Sequence, residues 1–210
     1  MYSSYTAASF ARKYLLADEH KANLIGAVSW SFEFENQPWF AGFRDLATNG
    51  VDKPVLNVFR MFGMMKGKRV NVSGNRMYDL KTFVDSSVRK QTDIGAIAAK
   101  DKNSATIMIW NYHDEDKQEA PEGINMAIHG LTAKAITVTE YRIDNENSNS
   151  YEVWKKMGSP QNPTAEQITT LEKAGQLQMM NKPVKMKANN KMIVKIQLPR
   201  QGVSLLKLDW

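Results

Sequence analysis

The chain has 210 residues, 42% hydrophobic and 24% charged, an ordinary globular composition with room for one large domain or two small ones. The absence of cysteine excludes a disulfide scaffold, a Cys-ligated zinc site and thiol catalysis. The net charge of +6 is mild and dispersed where a nucleic-acid surface would cluster it, and no run approaches the roughly 18 apolar residues of a membrane helix, so neither nucleic acid nor a membrane is an expected partner.

The chain enters helical periodicity at once, without the basic-then-apolar pattern of a secretory leader, as expected of a piece of a longer protein. Residues 2–20 read as a helix. Tyr5, Ala8, Phe10, Ala11, Tyr14, Leu15 and Leu16 form its broad apolar face, and Arg12, Lys13, Asp18 and Glu19 are left for solvent. Leu24-Ile25-Gly26-Ala27-Val28 is then a continuous apolar run, as in a strand buried on both faces of an α/β sheet. Gly26 removes bulk where a neighbour is expected to come close.

That run leads into Trp30, Glu33, Glu35 and Trp39, a mixture of acids and flat rings unusual for a strand that serves only as core. It is the mixture expected where a sugar meets a protein, with acceptors for hydroxyls and ring faces for C–H surfaces. Trp30 is the first candidate for a stacking platform and Trp39, in the following loop, the second; the other aromatics nearby suit core burial. Glu33 and Glu35 share one face of a strand. A retaining glycosidase needs two carboxyl groups about 5 Å apart on opposite sides of the scissile bond, and neighbours on one strand end approach from one side. They therefore read as hydroxyl acceptors rather than as acid and nucleophile; the plain alternative is a salt bridge to Arg44 or another basic residue.

Residues 36–53 carry the turn signals of a loop, Asn49-Gly50 among them. A second helix is predicted from Pro54, with Val55, Val58, Phe59, Phe62 and Met65 buried, Asp52 as a cap and Gly67 as its stop. Residues 1–67 thus read helix, strand, loop, helix, or one and a half repeats of an α/β barrel or open sheet, too few to close a barrel of eight strands.

From Lys68 the pattern changes to short strands. Residues 93–99 and 105–112 flank a hairpin signal at Asp101-Lys102-Asn103, and residues 123–131 and 135–143 are expected to pair. In the segment 191–198, Met192, Val194, Ile196 and Leu198 alternate with polar residues, one face buried and one wet. About eight strands predict a β-sandwich over 68–210, interrupted near 150–175 by a short helix capped at Thr164. The three histidines are scattered, Asp114-Glu115-Asp116 reads as a solvated turn, and there is no phosphate-cradling glycine loop; no metal or cofactor is expected.

Two blocks resemble glycoside hydrolase family 39, which contains β-xylosidases and α-L-iduronidases. The first runs from Trp30 to Trp39, through Gly42-Phe43-Arg44-Asp45 to Asn57-Val58-Phe59-Arg60; the second is Tyr141-Arg142-Ile143-Asp144, Trp154, Gly158-Ser159-Pro160 and Pro163-Thr164. The resemblance, closer to the β-xylosidase branch, implies an α+β chain: the C-terminal part of a (β/α)8 TIM barrel, its last strand at residues 24–33 with flanking helices, followed by the sandwich. It implies a retaining mechanism whose acid/base and nucleophile glutamates lie upstream of Met1. It places Trp30 beneath the sugar, with Glu35 and Glu33 facing it, and makes a xyloside-like carbohydrate and the missing barrel portion the expected partners. Asn147 stands where the family pattern expects His. The rival reading is a non-catalytic carbohydrate-binding or structural sandwich using Trp110, Tyr112 or Trp154.

Overall fold

The computed structural model describes residues 3–29, 31–42, 45–117 and 119–210. Its centre is an antiparallel sheet of β3 (Lys68–Val70), β4 (Asp93–Lys100), β5 (Ser104–Tyr112), β11 (Val203–Asp209) and β7 (Ala135–Ile143), in that spatial order. The short strands β8 (Gln178–Met179) and β9 (Val184–Lys187) share the far edge of β7. A second sheet of β6 (Glu122–Leu131) and β10 (Asn190–Leu198) covers one face. Between the two sheets Ile109, Ile136, Leu206 and Leu208 meet Val194, Ile196 and Leu198. The alternation of β10 is as predicted: Met192, Val194, Ile196 and Leu198 are buried, and Lys191, Ile193, Lys195 and Gln197 are exposed.

Strands β6 and β7 do not pair, contrary to expectation. β6 pairs with β10, whereas β7 pairs with β11 and the two short strands. Gly130 takes a positive φ of 73° at the end of β6, and the connection carries the chain across from one sheet to the other. Leu131 and Ala133, at that crossing, line the core between them.

Helices cover the other face of the large sheet. In α1 (Ser3–Glu19) the buried face is Ser3, Ser4, Thr6, Ala7, Ala8, Ala11 and Arg12. It is narrower and smaller than predicted, which lets the helix lie close to Met108, Trp110 and Leu205. Tyr5, Leu15 and Leu16 remain exposed. Arg12, expected in solvent, is 2% exposed because it lies one turn after Ala8 and finds Asp93 in the sheet beneath. In α2 (Pro54–Met64) the face rotates to Pro54, Asn57, Val58 and Met61. Lys53, not Asp52, is its N-cap residue, and Gly67 lies past its end at the entry to β3. A short helix, α3 (Leu80–Ser86), capped by Asp79, was not anticipated.

Among the described residues, the strand expected at residues 24–33 is not formed. Residues 22–29 and 31–34 have no regular structure, Gly26 has open space around it, and Ile25 and Val28 are each 91% exposed. A strand buried on both faces needs neighbours to pair its N–H and C=O groups. Among the described residues no strand lies beside this one; Phe32 O accepts from the N–H groups of Leu46 and Ala47 instead.

The segment 36–53, read as a loop, contains the small hairpin β1 (Ala47–Thr48) and β2 (Val51–Asp52). Asn49 and Gly50 both have positive φ, as an Asn-Gly two-residue turn requires. The interruption near 150–175 holds two helices, α4 (Ser150–Lys156) and α5 (Ala165–Gly175). The predicted capping box at Thr164 is present, completed by Gln167.

Candidate functional site

The acids and rings singled out in the sequence lie on the loop between α1 and α2. Trp30 lies outside the described residues. Glu33 is half-buried, and its Oε1 accepts a hydrogen bond from Gly50 N at 2.9 Å, so the tip of the β1–β2 hairpin fixes one of its carboxylate oxygens. Ser31 Oγ donates to the carbonyl of Glu33 at 2.9 Å. Glu35 is exposed, in a turn with Asn36, whose φ is 57°. The sequence thus brings both acids to one loop, Glu33 held and Glu35 open.

Trp39 is only 9% exposed. With Phe40, Val51, Trp154 and Leu171 it forms a third apolar cluster, distinct from the two on the sheet faces. Phe40 lies with ring centroids 5.0 Å from Trp154 and 5.5 Å from Tyr151. Two backbone N–H groups of the loop are taken by side chains: Trp39 N donates to Gln161 Oε1 at 2.9 Å and Phe40 N to Thr48 Oγ1 at 3.0 Å. Below them Lys53 and Asp45 form an ion pair, each side chain 3% exposed, and Lys53 Nζ also donates to the Gly42 carbonyl at 3.3 Å.

Further partners of this loop come from the insertion, where the sequence reading singled out Trp154 but neither Tyr151 nor Gln161. Tyr151, Trp154 and Gln161 lie on or next to α4, and Trp154 Nε1 donates to the Pro160 carbonyl at 2.9 Å. The Trp154 and Gly158-Ser159-Pro160 pattern was the available signal. Asn147 donates through both its backbone N and Nδ2 to Asp144 Oδ1 at 2.9 Å, so the residue that replaces the expected His serves a turn. Trp110 is fully buried and Trp154 nearly so, which removes two of the three aromatics that a self-sufficient carbohydrate-binding sandwich would display. Among the described residues no cluster of His, Asp or Glu is placed to hold a metal ion, and no helix is long and apolar enough to cross a membrane.

This fold is shared with carbohydrate-active enzymes. A monomeric β-xylosidase from Caulobacter crescentus superposes with a TM-score of 0.75 at 16% identity, over 99% of this chain and 41% of that one. A GH39 enzyme from Xanthomonas axonopodis pv. citri gives 0.73 at 15% identity, again over 99% and 41%. A β-xylosidase of Caldicellulosiruptor saccharolyticus is 29% identical over 140 residues, which are 67% of this chain and 26% of that protein. The family model for glycosyl hydrolases family 39 matches residues 4–192, and the chain belongs to that family. It spans about a quarter of the sequence relative and about two fifths of each solved structure.

Proposed function

We propose that the chain is the C-terminal portion of a retaining, β-xylosidase-like glycoside hydrolase acting on xyloside-like glycosides. In this reading residues 1–67 complete a (β/α)8 barrel, with residues 24–33 as its last strand, and residues 68–210 are the accessory sandwich. The nucleophile, which attacks the anomeric carbon, and the acid/base, which protonates the leaving oxygen and later activates water, are glutamates upstream of Met1. Trp30, Glu33 and Glu35 form one wall of the sugar site, with Glu35 free to accept from sugar hydroxyls. Trp39 serves that wall from beneath, with its ring in the core.

The observation that carries the reading is the segment between α1 and α2. It leaves Ile25, Val28, Phe32 and Phe34 exposed, next to helices already seated on the sheet, and ends in the two acids. Such a stretch suits a strand whose neighbours belong to another part of the sheet. The 210-residue chain alone is expected to release no chromophore from an aryl xyloside. Turnover by the purified chain, abolished by Glu35→Gln, would overturn the assignment of the catalytic pair.

A further inference from the structure

Phe40 has a φ of 57°, a left-handed conformation that is a genuine outlier for a bulky residue. Such strain persists only where the surroundings over-determine it. Here they do so from two directions. The rings of Trp154 and Tyr151 clasp Phe40, and Gln161 Oε1 takes the N–H of Trp39 immediately before it. All three residues belong to the helical insertion of the sandwich.

The same insertion grips the loop at a second place. Ser150 Oγ donates to the Asp52 carbonyl at 2.6 Å, and Gln176 Nε2 donates to Asp52 Oδ2 at 3.1 Å. Gly175 lies so close that a Cβ there would stand 2.7 Å from the Asp52 carbonyl oxygen. Asp52 ends β2, β2 fixes the hairpin, and the hairpin tip supplies the Gly50 N–H to Glu33. The two grips thus reach the acidic turn by two routes, one along the chain from residues 39–40 and one from residue 52 through the hairpin to Glu33.

We propose that the helical insertion is the template that places the Glu33–Glu35 wall, and that Gln161 is a positioning residue for sugar binding. This rests on the function proposed above. Gln161 touches no substrate; its acceptor holds the backbone at Trp39, and the hold passes to the acids through the loop.

Two variants separate the hydrogen bond from bulk. Gln161→Met keeps the length and removes the acceptor, and Gln161→Glu keeps an acceptor. In the 210-residue chain, amide exchange across residues 31–41 should quicken several-fold in Gln161→Met and stay near wild type in Gln161→Glu. In the full-length polypeptide that the proposed function requires, Gln161→Met should raise KM for an aryl xyloside about fivefold, the scale of one lost hydrogen bond, with kcat within about twofold. Gln161→Glu should restore KM. Wild-type exchange or wild-type KM in Gln161→Met, or an equal loss in both variants, overturns the positioning role while the enzyme assignment stands. If wild-type full-length protein cleaves no glycoside, the proposed function fails and this role fails with it.

Discussion

Asn57 Nδ2 donates to the Ser148 carbonyl at 3.2 Å and to the Gly175 carbonyl at 2.8 Å. Ser148 precedes α4 and Gly175 ends α5, so one buried amide on α2 holds both ends of the insertion. Its Oδ1 accepts from Arg60 Nη1 at 2.8 Å, and Arg60 in turn pairs with Asp52. The two stretches of family-like sequence, far apart in the chain, meet at this side chain.

Replacing Asn57 by Leu fits the volume but supplies no donor. Asn57 is fully buried, so both carbonyls would lose a partner where water does not reach easily. The expected cost is about 2–4 kcal/mol, set by the desolvated acceptors rather than by the bond itself. A urea midpoint unchanged by Asn57→Leu would show that the insertion is held by its rings alone.

A second node joins α1 to the sheet. Asp93 is fully buried and accepts from Arg12 Nη2 at 3.0 Å, Tyr78 N at 2.9 Å and Trp110 Nε1 at 2.7 Å. The Arg12 guanidinium also stacks 4.1 Å from the Phe83 ring centroid. Asp93→Ala leaves a buried cation and two donors unanswered, for a loss of roughly 3–5 kcal/mol. The double variant Arg12→Met, Asp93→Ala should lose less than the two single losses combined, because no charge is left stranded. Additive losses in a denaturant double-mutant cycle would mean the pair is not coupled.

What the sequence made legible was local. The hairpin between β4 and β5, the one-sided strand β10, the start of α2 at Pro54 and the cap at Thr164 each depend on neighbours a few residues away. Glu33 and Glu35, read as sharing one face of a strand, lie instead in irregular chain and a turn. What failed depended on distant partners. Arg12 looked like a solvent residue because its counter-ion lies 81 positions on. Gln161 drew no notice because its donor is 122 positions back. Strands β6 and β7 were paired on adjacency, but their crossing between sheets is decided by which apolar face each completes. Residues 24–33 carry the pattern of a buried strand, yet no strand lies beside their described residues, since pattern specifies a strand only when neighbours supply the ladder.

Gly95 gives a test of packing across β4 and β5. A Cβ added there would lie 2.4 Å from Cζ2 of Trp110, so the indole of the fully buried Trp110 rests on bare backbone. Gly95→Ala must push the ring off its bond to Asp93. About 1–3 kcal/mol of stability should go, the usual range for overpacking, together with the near-ultraviolet circular dichroism of a fixed tryptophan. An unchanged near-ultraviolet spectrum would contradict the contact.

Tyr112 links the same sheet to pH. Burial pushes its phenol well above the ordinary value of 10.0, helped by its hydrogen bond to Asp114 and the charge of that carboxylate. The Tyr112 hydroxyl donates to Asp114 Oδ1 at 2.8 Å. Its folded pKa is therefore raised, so below 10.0 both states carry the proton and the contribution to stability is whole. As pH rises through and beyond that value the unfolded tyrosine ionises while the folded one does not, and stability falls. The urea midpoint should decline on the alkaline side of pH 10, and Tyr112→Phe should flatten that decline while weakening the fold at neutral pH. Equal alkaline slopes in the two proteins would mean that other groups carry the effect.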